Sequence, residues 1–153
     1  MPSFSPKGAK APDFVPLMQA LARAYQAVSI YDAALHRDSG TGLTPSQADV
    51  IFTVGGTEGM TCADVSAETL ITKGTLTGVI DRLRAKGLVE RWADAYDARR
   101  TLIALTEKGE TLYEKILPRH LAALQPRFEG ISATDRRRAT ALLEKISEAF
   151  TGA

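Results

Sequence analysis

Two groups of polar residues in the middle of this chain have types and spacing that suit contact with phosphates and base edges. The first group brings small hydroxyls and one ammonium together at Thr72, Lys73, Thr75 and Thr77. The second group consists of Asp97, Arg99 and Arg100. Hydroxyls both donate and accept hydrogen bonds, and a guanidinium presents a fork of donors to phosphate or base acceptors. This chemistry predicts a nucleic-acid interface, whereas the alternative is a solvated surface.

The residues around these groups predict the elements that position them. The segment ITKGTLTGVIDRLRAKG has apolar residues three and four apart, at Leu76, Val79, Ile80 and Leu83. That spacing predicts an amphipathic helix, which Thr72 opens and Gly87 ends. The segments LVERW and RTLIALT then have the composition of strands, with a polar turn between them. We therefore predict a recognition helix followed by a β-hairpin wing, with the arginines at or near its tip.

Three further helices are predicted before the recognition helix, each with a polar residue in the N-cap position. They run from Asp13 to about His36, from Pro45 to about Val54, and from Thr61 to about Thr69. Thr44 and Gln47 have the spacing of a capping box. The short third helix and the recognition helix, a few residues apart, predict a helix-turn-helix.

Two helices are predicted after the wing, and their apolar faces predict a partner. The first begins after Thr106 and contains Pro118 and Pro126, so we expect a kink near the former and an end or second bend near the latter. The second begins at Ser132. Its apolar stripe, with those of the first helix and of the helix after Thr106, exceeds what one small winged helix-turn-helix can cover. A homodimer would bury these faces.

Composition limits the possible classes of protein. The chain has 153 residues, 44% of them apolar, and a net charge of only +1. Its basic excess is local, because residues 71–108 contain eight Lys and Arg against five Asp and Glu, while residues 41–70 contain four acidic residues and no Lys or Arg. The single cysteine, Cys62, excludes an intrachain disulfide framework. We expect a cytoplasmic protein with no membrane partner, because no apolar run approaches about 20 residues and the proline-rich start lacks a signal sequence.

The segments LTPSQADVI, TLTGVIDRLRAKGLVER and DARRTLIALTEKG resemble the MarR family of bacterial transcription regulators, over about residues 17–150. The resemblance implies a mainly α fold with a small β-hairpin wing. The proline-rich start of the chain predicts a flexible arm at residues 1–12, and residues 13–153 are predicted to form a single MarR-like domain. Within that domain, residues 44–106 would form the winged helix-turn-helix, and residues 13–38 and 107–150 would form the dimerisation helices.

The same resemblance assigns roles by position. Double-stranded DNA with a pseudo-palindromic operator would contact the recognition helix and wing, through Thr72, Lys73, Thr75, Thr77, Arg82, Asp97 and Arg99. Arg100, next to the wing pair, is a further candidate contact that could instead face away as a solvated strand residue. In the wing pair, the arginine would enter the minor groove and the aspartate would orient it. A small, often phenolic effector would relieve repression, and Tyr25, Tyr31 and Tyr113 are its candidate contacts. Gly74 and Gly78 interrupt the recognition surface and leave few long side chains for reading bases.

Other interpretations remain open from the sequence. The near-neutral charge also fits a winged-helix module that binds proteins and no operator. Cys62 lies in the first turn of a predicted helix and could act as a redox sensor, although we expect a small buried residue there. The tyrosines could instead be core residues, as aromatic residues on such stripes usually are. No constellation typical of an enzyme, a metal site or a cofactor site is recognisable.

Overall fold

The computed structural model describes residues 12–97 and 99–152. Its elements in chain order are α1 (Val15–Asp38), α2 (Pro45–Val54), β1 (Met60–Thr61), α3 (Cys62–Thr69), α4 (Lys73–Ala85), β2 (Val89–Ala93), β3 (Thr101–Leu105), α5 (Glu107–Phe128) and α6 (Ala133–Thr151). The predicted mainly α class with a small hairpin is confirmed. The predicted arm at residues 1–12 lies, except for Pro12, outside the described residues.

The chain divides into two compact units, one ending at Tyr113 and the other beginning at Glu114, which we call the winged unit and the C-terminal unit. The winged unit has a continuous apolar core supplied by α2, α3, α4 and the sheet. Its fully buried members include Val50, Ile51, Val54, Val65, Leu76, Ile80, Leu83 and Ile103. The four apolar positions predicted for α4 are all buried. The recognition helix is therefore fixed by its inner face.

The sheet of the winged unit has three antiparallel strands in the order β1-β3-β2. The register places Met60 and Arg91 on either side of Ile103, and Thr61 and Trp92 on either side of Leu102. Strand β1 has only two residues and was not predicted, because its sole signal is pairing with a strand some forty residues away. The central strand β3 is anchored by the buried Ile103.

Capping residues determine where α2 and α3 begin. At α2, the Thr44 hydroxyl accepts from Gln47 N at 3.3 Å and Gln47 Oε1 accepts from Thr44 N at 3.0 Å, which confirms the predicted capping box. At α3, Thr61 and Asp64 make the same reciprocal pair. The hydrogen bonds from the Thr61 hydroxyl and backbone lower the pKa of Asp64, because they favour its carboxylate form.

The predicted start of α1 at Asp13 is wrong. The helix begins at Val15, with Phe14 in the N-cap position and no side-chain cap. A cap at residue 13 would need the amide of residue 15 or 16. Val15 N already donates to Pro12 O at 3.1 Å, and Pro16 has no N–H.

Hydrogen bonds at the base of the wing tie the end of α4 to the start of α5. Thr106 N donates to Leu88 O at 3.1 Å, and the Thr106 hydroxyl donates to Gly87 O at 2.7 Å. Lys108 Nζ donates to Lys86 O at 2.8 Å. Gly109 completes the junction, because a Cβ there would run into Leu88 O. We call this set of contacts the basal clasp.

The C-terminal unit contains the rest of α5 and all of α6. Helix α5 continues through Pro118 and ends at Phe128, shortly after Pro126. The Ser132 hydroxyl caps α6 by accepting from Asp135 N at 3.0 Å, and Arg136 donates to the carbonyls of Phe128 and Ile131. No residue described in α6 is buried within the chain. Among the described helices of the whole chain, none combines the length and the apolar character needed to cross a membrane.

Candidate nucleic-acid interface

Helix α4 turns its polar face to solvent. The five residues predicted to contact DNA from this helix are all exposed: Thr72, Lys73, Thr75, Thr77 and Arg82. Thr72 is the N-cap with an extended backbone, and its side chain caps no amide. Because the opposite face of α4 is buried in the core, the helix can contact an external surface without a shift of the residues that pack behind it.

The hydroxyls at the start of α4 are partly engaged with one another. The Thr72 hydroxyl donates to the Thr75 hydroxyl at 3.2 Å, which leaves the Thr75 proton to be donated outward. The Thr77 hydroxyl donates to Lys73 O at 3.3 Å and retains its acceptor capacity. The N-terminal half of α4 thus presents a donor, an acceptor and the Lys73 ammonium within two turns of helix.

Asp81 puts a negative charge on the exposed side of α4, and two arginines offset it. Its Oδ1 lies 3.1 Å from Arg91 on β2 and 3.9 Å from Arg84 on α4. Sequence reasoning missed both arginines. The Arg84 pair could have been found from its three-residue spacing on the helix, whereas the Arg91 pair depends on how β2 packs beside α4.

The turn of the wing joins β2 to β3 and holds its most exposed cation. Asp94 N donates to Arg100 O at 2.9 Å, and Arg100 N donates to Asp97 O at 2.8 Å. Asp97 Oδ1 accepts from both the backbone amide of Arg99 at 3.0 Å and its side-chain Nε at 3.2 Å. The Arg99 side chain is 92% exposed. The aspartate therefore holds the exposed guanidinium of Arg99 at the turn of the wing through its Nε.

Arg100 has a different environment from its neighbour. Its guanidinium lies 3.8 Å from Asp94 Oδ2, and Asp94 is 12% exposed. Asp94 also accepts a hydrogen bond from Tyr96 N at 2.8 Å. The two adjacent arginines predicted as DNA contacts thus differ, since one extends outward and the other turns back toward the strand end.

The three candidate effector residues lie in the winged unit. Tyr25 and Tyr31 are on α1, the former 61% exposed. The Tyr113 ring lies against Gly55 so closely that a Cβ there would overlap it. A cavity of about 600 Å³ opens elsewhere, on the outer side of the sheet beside Trp92, Tyr96 and Leu102. None of the three tyrosines is among the described residues that line it.

Cys62 is the first residue of α3 and is exposed, so the prediction of a small buried residue is wrong. The reason is local. The capping pair Thr61 and Asp64 fixes the first turn of α3, and Val65 is the buried residue of that helix.

Comparisons with known proteins agree with this geometry. The family model described as "MarR family" matches residues 41–100, from the loop before α2 to the wing. The HTH-type transcriptional regulator YkoM of Bacillus subtilis, itself uncharacterised, is 29% identical over 130 residues, which are 84% of this chain and 82% of that protein.

Two solved structures have the same fold over nearly the whole chain. Bordetella bronchiseptica BpsR is 29% identical, with a TM-score of 0.72, and the match covers 92% of this chain and 99% of that one. Streptomyces coelicolor AbsC, a MarR-family regulator, is 25% identical, with a TM-score of 0.76 and coverage of 95% and 99%. Together with the buried inner face of α4 and the wing beside it, these matches show a winged helix-turn-helix fold and a sequence similar to those of the MarR family of transcriptional regulators.

Proposed function

We propose that this regulator binds a pseudo-palindromic operator in double-stranded DNA as a homodimer, represses transcription there, and releases the DNA when a small aromatic acid or phenol binds. The observation that carries the DNA-binding part is the Asp97–Arg99 pair, in which a buried core and a hairpin support an almost fully exposed guanidinium. An arginine presented in this way suits the negative potential of a narrow minor groove. Because its target is genomic DNA, we infer a cytoplasmic location in a bacterial cell.

The exposed face of α4 supports docking in the major groove. Its hydroxyls and Lys73 can reach base edges or phosphates, and Arg82 lies further along the helix, where backbone contacts are expected. In a dimer, the two copies of α4 would enter successive major grooves, about 34 Å apart. Arg100 would contribute charge near the DNA while remaining close to Asp94.

The homodimer is supported by apolar side chains that the chain leaves exposed at its two ends. On α1 these include Leu17, Met18, Tyr25 and Val28, and on α6 they include Leu142, Leu143 and Phe150. Each is between 44% and 77% exposed. Two long helices with uncovered apolar stripes are expected to be buried against a second copy of the same chain.

The effector is proposed to bind beside α1 and the first turns of α5, where Tyr25, Tyr31 and Tyr113 lie. The structure of BpsR was reported with a mechanism by which 6-hydroxynicotinic acid, a hydroxylated aromatic acid, regulates its DNA binding. A compound that binds the free protein better than the DNA-bound form must weaken DNA binding by the same factor. Salicylate and related phenols are suitable first probes.

The DNA-binding proposal is tested by fluorescence anisotropy with a duplex that the wild-type protein selects from a random pool. Phosphate contacts require affinity to fall steeply as salt rises. Binding without salt dependence, or no binding to any duplex, would refute operator binding and favour a protein-interaction module.

The effector proposal needs a second measurement on the same complex. Aromatic acids are titrated into protein bound to the selected duplex, and thermal shift of the free protein is followed in parallel. A compound that stabilises the free protein and releases DNA supports the proposal. Stabilisation without any change in DNA affinity would rule out relief by that ligand.

A further inference from the structure

The cavity of about 600 Å³ on the outer side of the sheet lies within the winged unit, between strand β1, the first turn of α3 and the turn of the wing. We call it the wing cavity. The described residues that line it include none from α4 and none of the three tyrosines proposed to contact the effector. Sites for small molecules commonly measure about 300–1,000 Å³. The wing cavity is therefore large enough to hold a ligand of its own.

The register of the sheet explains which side chains form the wall of the wing cavity. Ile103 is fully buried, so its side chain faces the core. Successive residues of a strand point to opposite faces, so Leu102 points outward, together with its cross-strand partners Trp92 and Thr61. All three outward residues line the cavity. Trp92 is 44% exposed, which leaves part of its indole ring available to a ligand.

The loop before β1 forms another side of the wing cavity. Gly59 has a φ of +112°, and a Cβ there would lie 3.3 Å from Leu102 Cβ and 3.4 Å from Ile103 O. Both the backbone conformation and the limited space favour glycine at this position. The close approach of Gly59 to β3 brings the exposed Glu58 to the cavity.

The lining of the wing cavity is negatively charged. It contains three carboxylates and one guanidinium, a net charge of −2, from Glu58, Asp64, Asp94 and Arg100. Hydrogen bonds from Thr61 lower the pKa of Asp64, so this carboxyl group is ionised at neutral pH. The guanidinium of Arg100 is 3.8 Å from Asp94 Oδ2, so these two charges offset each other. The excess charge on the other two residues disfavours phosphates and carboxylates and attracts cations.

We propose that the wing cavity is a binding site for a small organic cation with aromatic or other apolar substituents. A cation is attracted to the face of an aromatic ring, most strongly to that of tryptophan, and Trp92 supplies such a ring. Glu58 and Asp64 supply the opposite charge, and Met60 and Leu102 supply apolar surface for the substituents. This ligand has the opposite charge to the aromatic acid proposed as the effector. The inference depends on neither operator binding nor the effector.

Two ions of the same shape and opposite charge, tetraphenylphosphonium and tetraphenylborate, test the proposal. Because Trp92 is the only tryptophan of the chain, its fluorescence reports on the wing cavity directly. In sodium buffer at constant ionic strength, tetraphenylphosphonium should cause a saturable change, with a Kd about tenfold or more below that of tetraphenylborate. The absence of a saturable change, or equal affinity for the two ions, would overturn the proposal.

Substitutions test which residues bind the cation. Glu58→Gln should weaken tetraphenylphosphonium binding several-fold. Glu68→Gln is the matched control, because Glu68 is also an exposed glutamate of the winged unit but does not line the cavity. Equal effects of these two substitutions would contradict the role of Glu58 and of the negative lining.

Trp92→Leu tests the aromatic contact, because leucine keeps apolar surface but has no ring face. Isothermal titration calorimetry should show tetraphenylphosphonium binding weakened about tenfold or more, and undiminished binding would refute the contact with the ring. Thermal unfolding checks that each variant is folded. If Trp92→Leu does not fold, the two glutamine variants still decide the proposal, because both positions are exposed.

Discussion

Helices α4 and α6 have comparable apolar stripes but opposite environments. In α4, Leu76, Ile80 and Leu83 are fully buried by the chain itself. In α6, Leu142 is 60% exposed and Phe150 is 77% exposed. Water disfavours both stripes equally, so the difference lies in what covers them. The winged unit contains its own core, whereas the apolar stripe of α6 is left exposed by the described part of the chain.

The largest effect is expected when charge is placed on the exposed stripe of α6. Combining Leu142→Glu with Ile146→Glu should abolish the dimer, since burying unpaired carboxylates costs several kcal/mol. The monomeric winged unit should still unfold cooperatively, which sedimentation velocity and circular dichroism together can check. Arg137→Glu, on the opposite side of α6, is the matched control. A double variant that remains dimeric would show that α6 does not form the interface.

Truncating one apolar residue in α4 and one in α6 tests whether the two stripes differ in what buries them. Ile80→Ala should lower the free energy of unfolding by about 2–5 kcal/mol at every protein concentration, because it leaves a cavity in a sealed core. Leu142→Ala should have an effect that depends on protein concentration, because its proposed partner is a second copy of the chain. Urea denaturation at two protein concentrations distinguishes the two variants. A concentration-independent loss for Leu142→Ala would mean that its own chain buries it.

Within the winged unit, we expect substitutions in the core to change stability and substitutions at the wing tip to change DNA affinity. Arg99→Ala should reduce affinity for the selected duplex about tenfold, and Asp97→Ala should reduce it less, because it removes only the orienting partner. Tm should hardly change in either. Arg138→Ala is a suitable control, since Arg138 is also an exposed arginine near an aspartate, Asp135. Anisotropy titrations provide the measurement, and unaltered binding by Arg99→Ala would contradict the role of the tip.

The smallest effect concerns the cap of α3. The folded-state pKa of Asp64 is below its unfolded value, so its contribution to stability is present above the unfolded pKa and is lost as pH falls through the folded pKa. Asp64→Asn should therefore lower the urea midpoint slightly at neutral pH and make no difference in strong acid. Glu68→Gln, which removes a carboxylate from α3 outside its first turn, serves as the control. A difference between wild type and Asp64→Asn that persists in strong acid would exclude this linkage.

Local chemistry explains which parts of the fold could be predicted. The capping boxes at Thr44 and Thr61 and the inner face of α4 are visible in short stretches of sequence, and the structure has all of them. Strand β1 could not be found in this way, because two residues carry no periodicity and pair only after the chain returns. The start of α1 could not be placed from Asp13, because Val15 N donates to Pro12 O and Pro16 has no N–H to offer a cap.

The residues of the candidate site also fall into two groups, those that local sequence predicts and those that only the tertiary structure shows. The exposed face of α4 and the Asp97–Arg99 pair follow from residues close in sequence, so their positions were predictable. The ion pair between Asp81 and Arg91 joins a helix to a strand and required the tertiary structure. So did the open space around Gly74 and Gly78, since only packing shows whether a glycine has an internal neighbour.

The basal clasp has a consequence for the motion of the wing. It closes residues 86–108 into a loop fixed at its base by hydrogen bonds to three successive carbonyls, those of Lys86, Gly87 and Leu88. The conformational entropy cost of closing that loop is met when the basal clasp forms. Opening the base would break these bonds together with the sheet, so low-energy fluctuations should be confined to the tip. Amide hydrogen exchange should then be slow at Leu88 and Thr106 and fast around Tyr96, which would let Arg99 search a groove while α4 stays fixed.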